Sequence, residues 1–344
     1  MDGIKFRSVF SLSNPNADYS LRYPEKLEFD YKNNRFLIFD FNNSQVIFLS
    51  AKDGSYLGKI QVYQNTKHKH CSVIDYVYNR IIIIKRNKIK TYSLNNFSFL
   101  SKYTFSPSHH LLAYPPIDAV IDEKRQQIII LTKRRLEIFS LADFSLIESI
   151  EKENTGMQSG KIKIDQENDC LIIDDFHGTY SSSSGYTYYG MYIYILSLST
   201  RQYMRSFYES EREKYDCSFN CCIANQGRII TASRNDSYLQ AFTQSGQLIS
   251  TFYPHDRNFI NGISFDPLRG LIAYSTDSKV FIIEANQWLP NTFIWSPNTH
   301  RFASKEIKNA IKTLMMLRSL DHDSLYPSVI LLPNELLFEI FCYL

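Results

Sequence analysis

The chain has 344 residues, 44% of them hydrophobic and 21% charged, with a formal net charge of +3. That is ordinary globular composition, so a disordered or collagen-like chain is excluded. A charge this small implies no polyanionic partner unless it is locally clustered.

The opening MDGIKFRSVF holds no apolar core of signal-peptide length. No later run approaches the ~18 apolar residues of a membrane span, so no membrane partner is expected. The cysteines at 71, 170, 217, 221, 222 and 342 lack the paired spacing of a secreted disulfide framework. The expected setting is reducing: cytoplasmic or nuclear.

From Ile4 to Leu12 the pattern matches Phe97 to Phe105, which reads as the last strand of a repeat. The first complete repeat begins near residue 24. The clearest copy runs from Ile117 to Ile150: four apolar segments of four to eight residues, rich in Ile, Leu and Phe, separated by polar turns. Segments of this length and composition are strands, and four joined by short turns make one antiparallel meander. An anchor residue precedes the first turn of each repeat: Asp30, Asp75, Asp122, Asp165, Ala224 and Asp266. Successive anchors are 45, 47, 43, 59 and 42 residues apart. A period in the forties with four strands per period predicts an all-β fold, a six-bladed β-propeller of four-stranded antiparallel blades over residues 1–296.

Blade one is expected to end near Val62, with Asp53-Gly54 turning between its last two strands. In blade two, Ile81 to Ile84 reads as the inner, fully buried strand. The long spacing in blade four comes from DDFHGTYSSSSGYTYYG, residues 174–190, a hairpin extension or flexible loop between its second and third strands. Two segments compete to close the ring, Ile4 to Leu12 and Trp288 to Trp295. Beyond the ring the pattern changes. Over residues 304–320, Ile307, Ile311 and Leu314, with Ala310 and Leu317 beside them, lie at helical spacing behind a Ser304 cap. This amphipathic helix lies in a linker, 297–330, before a last helical segment, 331–344. There Pro333 suits the first helical position and Glu335 the positive first turn. Leu332, Leu336, Leu337, Ile340, Phe341 and Leu344 form one apolar stripe.

Candidate chemistry is sparse. The anchor aspartates have the position of turn caps, whose side chains accept following backbone N–H groups. His68, His70 and Cys71 are close together but have no second ligand cluster, so neither a metal nor another cofactor is expected. Cys217, Cys221 and Cys222 fall in or beside a strand and read as buried thiols. No catalytic motif stands out, and an enzyme is not expected. Two turns between second and third strands are basic: Arg86 and Lys88 with Lys90 in blade two, and Lys133, Arg134 and Arg135 in blade three. In a propeller such turns emerge on one face, where with Arg234 they would offer a surface to RNA.

The repeats resemble the NHL family of six-bladed propellers, through Val46-Ile47-Phe48-Leu49 with Asp53-Gly54 and Tyr238-Leu239-Gln240-Ala241-Phe242 with Ser245-Gly246. That resemblance implies a platform for a ligand, a protein or RNA. WD-repeat propellers are the alternative, although their Gly-His and Trp-Asp marks are missing. The C-terminal LPNELLFEIFCYL is similar to the opening of an F-box. That similarity implies docking to the Skp-type adaptor of a cullin ubiquitin ligase through Leu332, Pro333, Leu336, Leu337, Ile340, Phe341 and Leu344. The chain would then be an adaptor for an unknown target protein, monomeric outside that complex.

Overall fold

The computed structural model of the chain describes residues 6–11, 24, 26–40, 43–62, 71–85, 88–105, 115–151, 157–181, 185–208, 218–224, 227–233, 237–254, 260–266, 270–276 and 279–285. Within them the apolar segments are strands. The first, β1 (Phe6–Ser11), precedes the repeats. Blade one comprises β2 (Lys26–Asp30), β3 (Arg35–Asp40), β4 (Gln45–Ser50) and β5 (Tyr56–Gln61). Blade two comprises β6 (Cys71–Asp75), β7 (Arg80–Lys85), β8 (Lys88–Ser93) and β9 (Phe99–Thr104). Blade three follows with β10 (Pro116–Asp122), β11 (Gln127–Thr132), β12 (Arg135–Ser140) and β13 (Leu146–Glu151). In blade four these are β14 (Met157–Asp165), β15 (Cys170–Ser181), β16 (Gly185–Ser197) and β17 (Tyr203–Tyr208). Blade five holds β18 (Ser218–Ala224), β19 (Arg228–Ser233), β20 (Leu239–Phe242) and β21 (Leu248–Phe252). Blade six holds β22 (Gly262–Asp266), β23 (Leu271–Ser275) and β24 (Lys279–Glu284).

Each blade is a four-stranded antiparallel sheet, so the fold is the expected all-β six-bladed propeller. Blade six is completed by β1, which pairs with β24 from Phe6 opposite Ile283 to Ser11 opposite Lys279. The competition for ring closure is thereby settled for the N-terminal strand. Residues 288–295 and the two expected C-terminal helices lie outside the described residues. The blade-four insertion is a hairpin extension: β15 and β16 stay paired out to Ser181 opposite Gly185.

The first strands are innermost, β2 meeting β22 and the contacts running on through β18, β14, β10 and β6. This corrects one expectation, since Ile81 to Ile84 belong to the second strand of blade two and not the innermost. They are fully buried nonetheless, because each blade packs against two neighbours. Ile81 and Ile83 join the core between blades one and two, while Ile82 and Ile84 join that between blades two and three. Side-chain alternation along a strand makes this division, and a strand covered on both faces reads as an unbroken apolar run. The remaining interfaces repeat the arrangement, giving one apolar cluster between each pair of adjacent blades. At ~1.5–3 kcal/mol gross for each buried aliphatic side chain, this packing outweighs any single polar contact in holding the ring.

Four of the anchor aspartates, Asp30, Asp75, Asp122 and Asp165, are turn caps. Asp30 Oδ1 accepts the Asn33 amide at 3.2 Å, Asp75 those of Val77 and Tyr78 at 3.0 and 3.1 Å, and Asp122 that of Arg125 at 3.1 Å. Asp165 accepts from both Glu167 and Asn168 at 3.1 Å. Blade five lacks the aspartate because its connection is one residue shorter, Ala224 pairing with Arg228 where Asp122 pairs with Gln127. Gly227 takes that bend at φ 65°, and a Cβ there would lie 2.6 Å from the Asp165 carboxylate.

In blades one and two the cap is extended into a clasp on the next blade. Arg35 Nε donates to Asp30 at 2.7 Å, and its Nη2 reaches the Leu94 carbonyl of blade two. The guanidinium lies 5.2 Å from the ring centre of Phe48 and 5.1 Å from that of Phe97. Arg80 repeats this with Asp75 at 2.7 Å, the Leu141 carbonyl and the Phe144 ring. Phe97 and Phe144 adopt positive φ, 63° and 59°, uncommon for an aromatic residue. Turning the chain there places their rings against the arginines.

Candidate functional site

The six innermost strands enclose a cavity of about 590 Å³ on the axis. That lies within the size range of small-molecule pockets. Its wall follows from the repeat. The residues two before each anchor form one ring: Glu28, Val73, Val120, Lys163, Cys222 and Ser264. Those one before form a second, apolar ring: Phe29, Ile74, Ile121, Ile164, Ile223 and Phe265. Tyr31, Tyr76, Glu123, Lys124 and Gln166, from the turns that follow, surround the mouth.

At the mouth the Tyr31 and Tyr76 rings lie 4.7 Å apart and tilted, and the Tyr76 hydroxyl donates to the Phe29 carbonyl at 3.3 Å. Burial, with Glu123 and Asp30 nearby, pushes the Tyr31 hydroxyl up to about 12. At the opposite end of the inner strands the axis is crossed by Lys26. Its ammonium donates to Asp118 and Glu28, each at 3.0 Å, and to the Ser72 carbonyl at 2.6 Å, tying blades one, two and three together. Asp118 also accepts the Ile162 amide of blade four at 3.1 Å. Burial works to raise the Asp118 pKa, but Lys26, then Lys161 and Lys163, together with that amide hold it down at about 2. For Lys26, burial pulls the other way, and Asp118 and Glu28 outweigh it to keep the ammonium charged.

The cavity is the feature that the sequence reading missed. A signal was present: once the anchors fix the register, strand alternation identifies which residues of each first strand share a face. The described thiols, Cys71, Cys170, Cys221 and Cys222, are in the core. Cys221 packs between blades four and five and its neighbour Cys222 between blades five and six. Burial pushes the Cys222 thiol up to about 12 and that of Cys170 to about 11, so both stay protonated and poorly nucleophilic. Cys71 opens β6 and is buried, while His68, His70 and Cys217 lie outside the described residues. Among the described residues, no three His, Cys, Asp or Glu side chains are grouped as metal ligands. Nor is any helix among them long and apolar enough to cross a membrane.

The basic turns join the second and third strands of adjacent blades. Lys85 and Lys88 face each other at the end of the β7–β8 pair, and Lys90 stands opposite Lys102 of β9. Burial, and then the neighbouring lysines, lower the pKa of both Lys85 and Lys90. Lys90 also donates to the Val62 carbonyl at 3.0 Å. Lys133 and Arg134 are exposed, and Arg135 pairs with Glu151 at 2.7 Å. Arg86, Arg234 and the stripe Leu332, Pro333, Leu336, Leu337, Ile340, Phe341 and Leu344 lie outside the described residues.

No protein-family model and no curated protein matches the chain. Solved structures do match. The β-propeller domain of Cps50 (Swd1) from Myceliophteria thermophila superposes with a TM-score of 0.56 at 9% identity, covering 80% of this chain and 99% of that one. The WD40 repeats of RRP9 give 0.55 at 10% identity, with 82% and 99% covered. Hydrazine synthase from Kuenenia stuttgartiensis gives 0.52 at 9% identity, with 79% of each chain covered. At such identities the likeness establishes the propeller fold, WD40-like in its neighbours, and nothing finer.

Proposed function

We propose that the chain is a non-catalytic substrate-recognition adaptor of a cullin-type ubiquitin ligase. The propeller binds a target protein, and the F-box-like segment 331–344 docks the Skp-type adaptor. The observation that carries the recognition role is the use made of the polar groups around the axis. Asp30, Asp75, Asp122 and Asp165 are engaged with the amides of their own turns. What remains around the axis is a ligand-sized cavity built by all six blades, with an apolar ring beside charged and polar groups. The ligase role rests on LPNELLFEIFCYL, whose apolar stripe has to be covered by something.

Six such side chains offer roughly 9–18 kcal/mol gross, against association and ordering costs of ~4–15 kcal/mol. Docking of this one segment should therefore be weak and sensitive to single substitutions. Leu336→Asp or Ile340→Asp should abolish co-purification of the full chain with the Skp-type adaptor and leave the melting temperature unchanged. If both variants instead melted several degrees lower and wild type captured no adaptor, the segment would be structural and the ligase role wrong.

The facing lysines of blade two favour a second reading, an NHL-like RNA-binding propeller. Like charges held opposite one another are destabilising unless something anionic covers them. RNA retained at low salt, released steeply as salt rises and lost on Lys88→Glu with Arg134→Glu would favour this reading over the first.

A further inference from the structure

We propose that the axial cavity binds a carboxylate carried on an apolar body, with Lys163 as its counter-ion. In the ring of residues two before the anchors, the other polar groups already have partners. Glu28 is ion-paired to Lys26, and Ser264 Oγ accepts the Phe29 amide at 3.3 Å. The Lys163 side chain is only half-buried and, among the described residues, makes no ion pair within 4.0 Å and no hydrogen bond, its charge acting on Asp118 from farther off. Its charge is felt within the ring, since it opposes the burial that raises the thiol of Cys222.

An ammonium withdrawn from bulk water favours an anion, and the fit of the anion is set by what surrounds it. Here the surroundings are the apolar ring of Phe29, Ile121 and Phe265 and the tyrosines at the mouth. The acids that face this space are accounted for. Asp118 and Glu28 share Lys26, with Lys161 as a second cation acting on Asp118, and Glu123 stands at the rim beside Lys124. An aromatic or branched acid would therefore place its body in the apolar ring and its carboxylate on Lys163.

Such a group could come from a free organic acid or from the C-terminus of a peptide, and the experiment separates the two. Binding to the full chain is measured by calorimetry for hydrocinnamate, its primary amide and phenylpropylamine. The same is done for a blocked tripeptide ending in phenylalanine, as free acid and as amide. The acid should bind roughly ten- to a hundredfold tighter than its amide, the effect of one charge-assisted hydrogen bond. Lys163→Gln should erase that preference and Lys163→Arg should keep it, while Lys102→Gln, which removes the same charge from an outer strand, should change nothing. Preference in the tripeptide pair would identify a protein terminus as the ligand, and preference confined to hydrocinnamate a free acid. An amide or amine that binds wild type as tightly as the acid would overturn the proposal. So would a preference that survives Lys163→Gln, or the absence of binding by either acid. The wild-type comparison stands even if a variant fails to fold. Because the tail takes no part, loss of acid binding and loss of adaptor capture are separate failures.

Discussion

Arg35→Met tests how the blades are held together. The guanidinium side chain is 7% exposed, its partner Asp30 is fully buried, and the pair bridges blade one to the Leu94 carbonyl of blade two. Removing one partner of a buried pair costs about 3–5 kcal/mol, because the other charge is left uncompensated. Asn33 still donates to Asp30 from its amide and, at 2.8 Å, from its side chain, which argues for the lower end of that range. Loss of contact with two aromatic rings works the other way, by roughly 0.5–2 kcal/mol. A net loss of about 3 kcal/mol is expected. In a ring of this size that lowers the melting temperature by about 6 °C, read by circular dichroism. Arg135→Met is the control: its partner Glu151 is 77% exposed, so no more than about 1 kcal/mol should be lost. The double variant Asp30→Asn with Arg35→Met should recover part of the loss, since no buried carboxylate is stranded. If Arg35→Met melted with Arg135→Met, the clasp would be ornamental and apolar packing alone would set the stability of that interface.

Two further outcomes are expected. The folded pKa of Asp118 is depressed below its unfolded value, so its contribution is fully present above about pH 4 and lost as pH falls toward 2. Wild type should lose about 2 kcal/mol more than Asp118→Asn over that window in urea unfolding, and parallel curves would show that Asp118 is not held by Lys26. Deleting residues 297–344 should leave β circular dichroism and a cooperative melt intact, because blade six is completed by β1. A non-cooperative melt would mean that the tail belongs to the ring.

The parts of the fold legible from sequence were those governed by local rules. Asp30, Asp75, Asp122 and Asp165 are visible as caps because the donor lies two or three residues away. The Ile81–Ile84 run announces a strand covered on both faces, but its rank within the blade depends on which edge meets the axis, and no local pattern encodes that. Ring closure was ambiguous for a related reason: β1 and residues 288–295 have similar strand patterns, and only the pairing with β24 chooses between them. The clasps were illegible because Phe97 and Phe144 occupy left-handed backbone positions usually marked by glycine or asparagine. For the cavity, Lys163 and Glu28 sat in view at equivalent positions, yet their convergence on one space follows only once six strands are arranged around an axis.

Closing blade six with β1 has a consequence for synthesis. Of the described strands, β1 is made before all the others and its partner, β24, after them. At ~5–20 residues per second, β1 waits on the order of tens of seconds with both edges open. Blades one to five can each pair within themselves as they emerge, whereas blade six stays a three-stranded sheet until the two ends of the ring meet. A nascent chain stalled before β24 would carry five complete blades and a free strand. Chaperone occupancy along the message should therefore persist until residue 284 has cleared the exit tunnel.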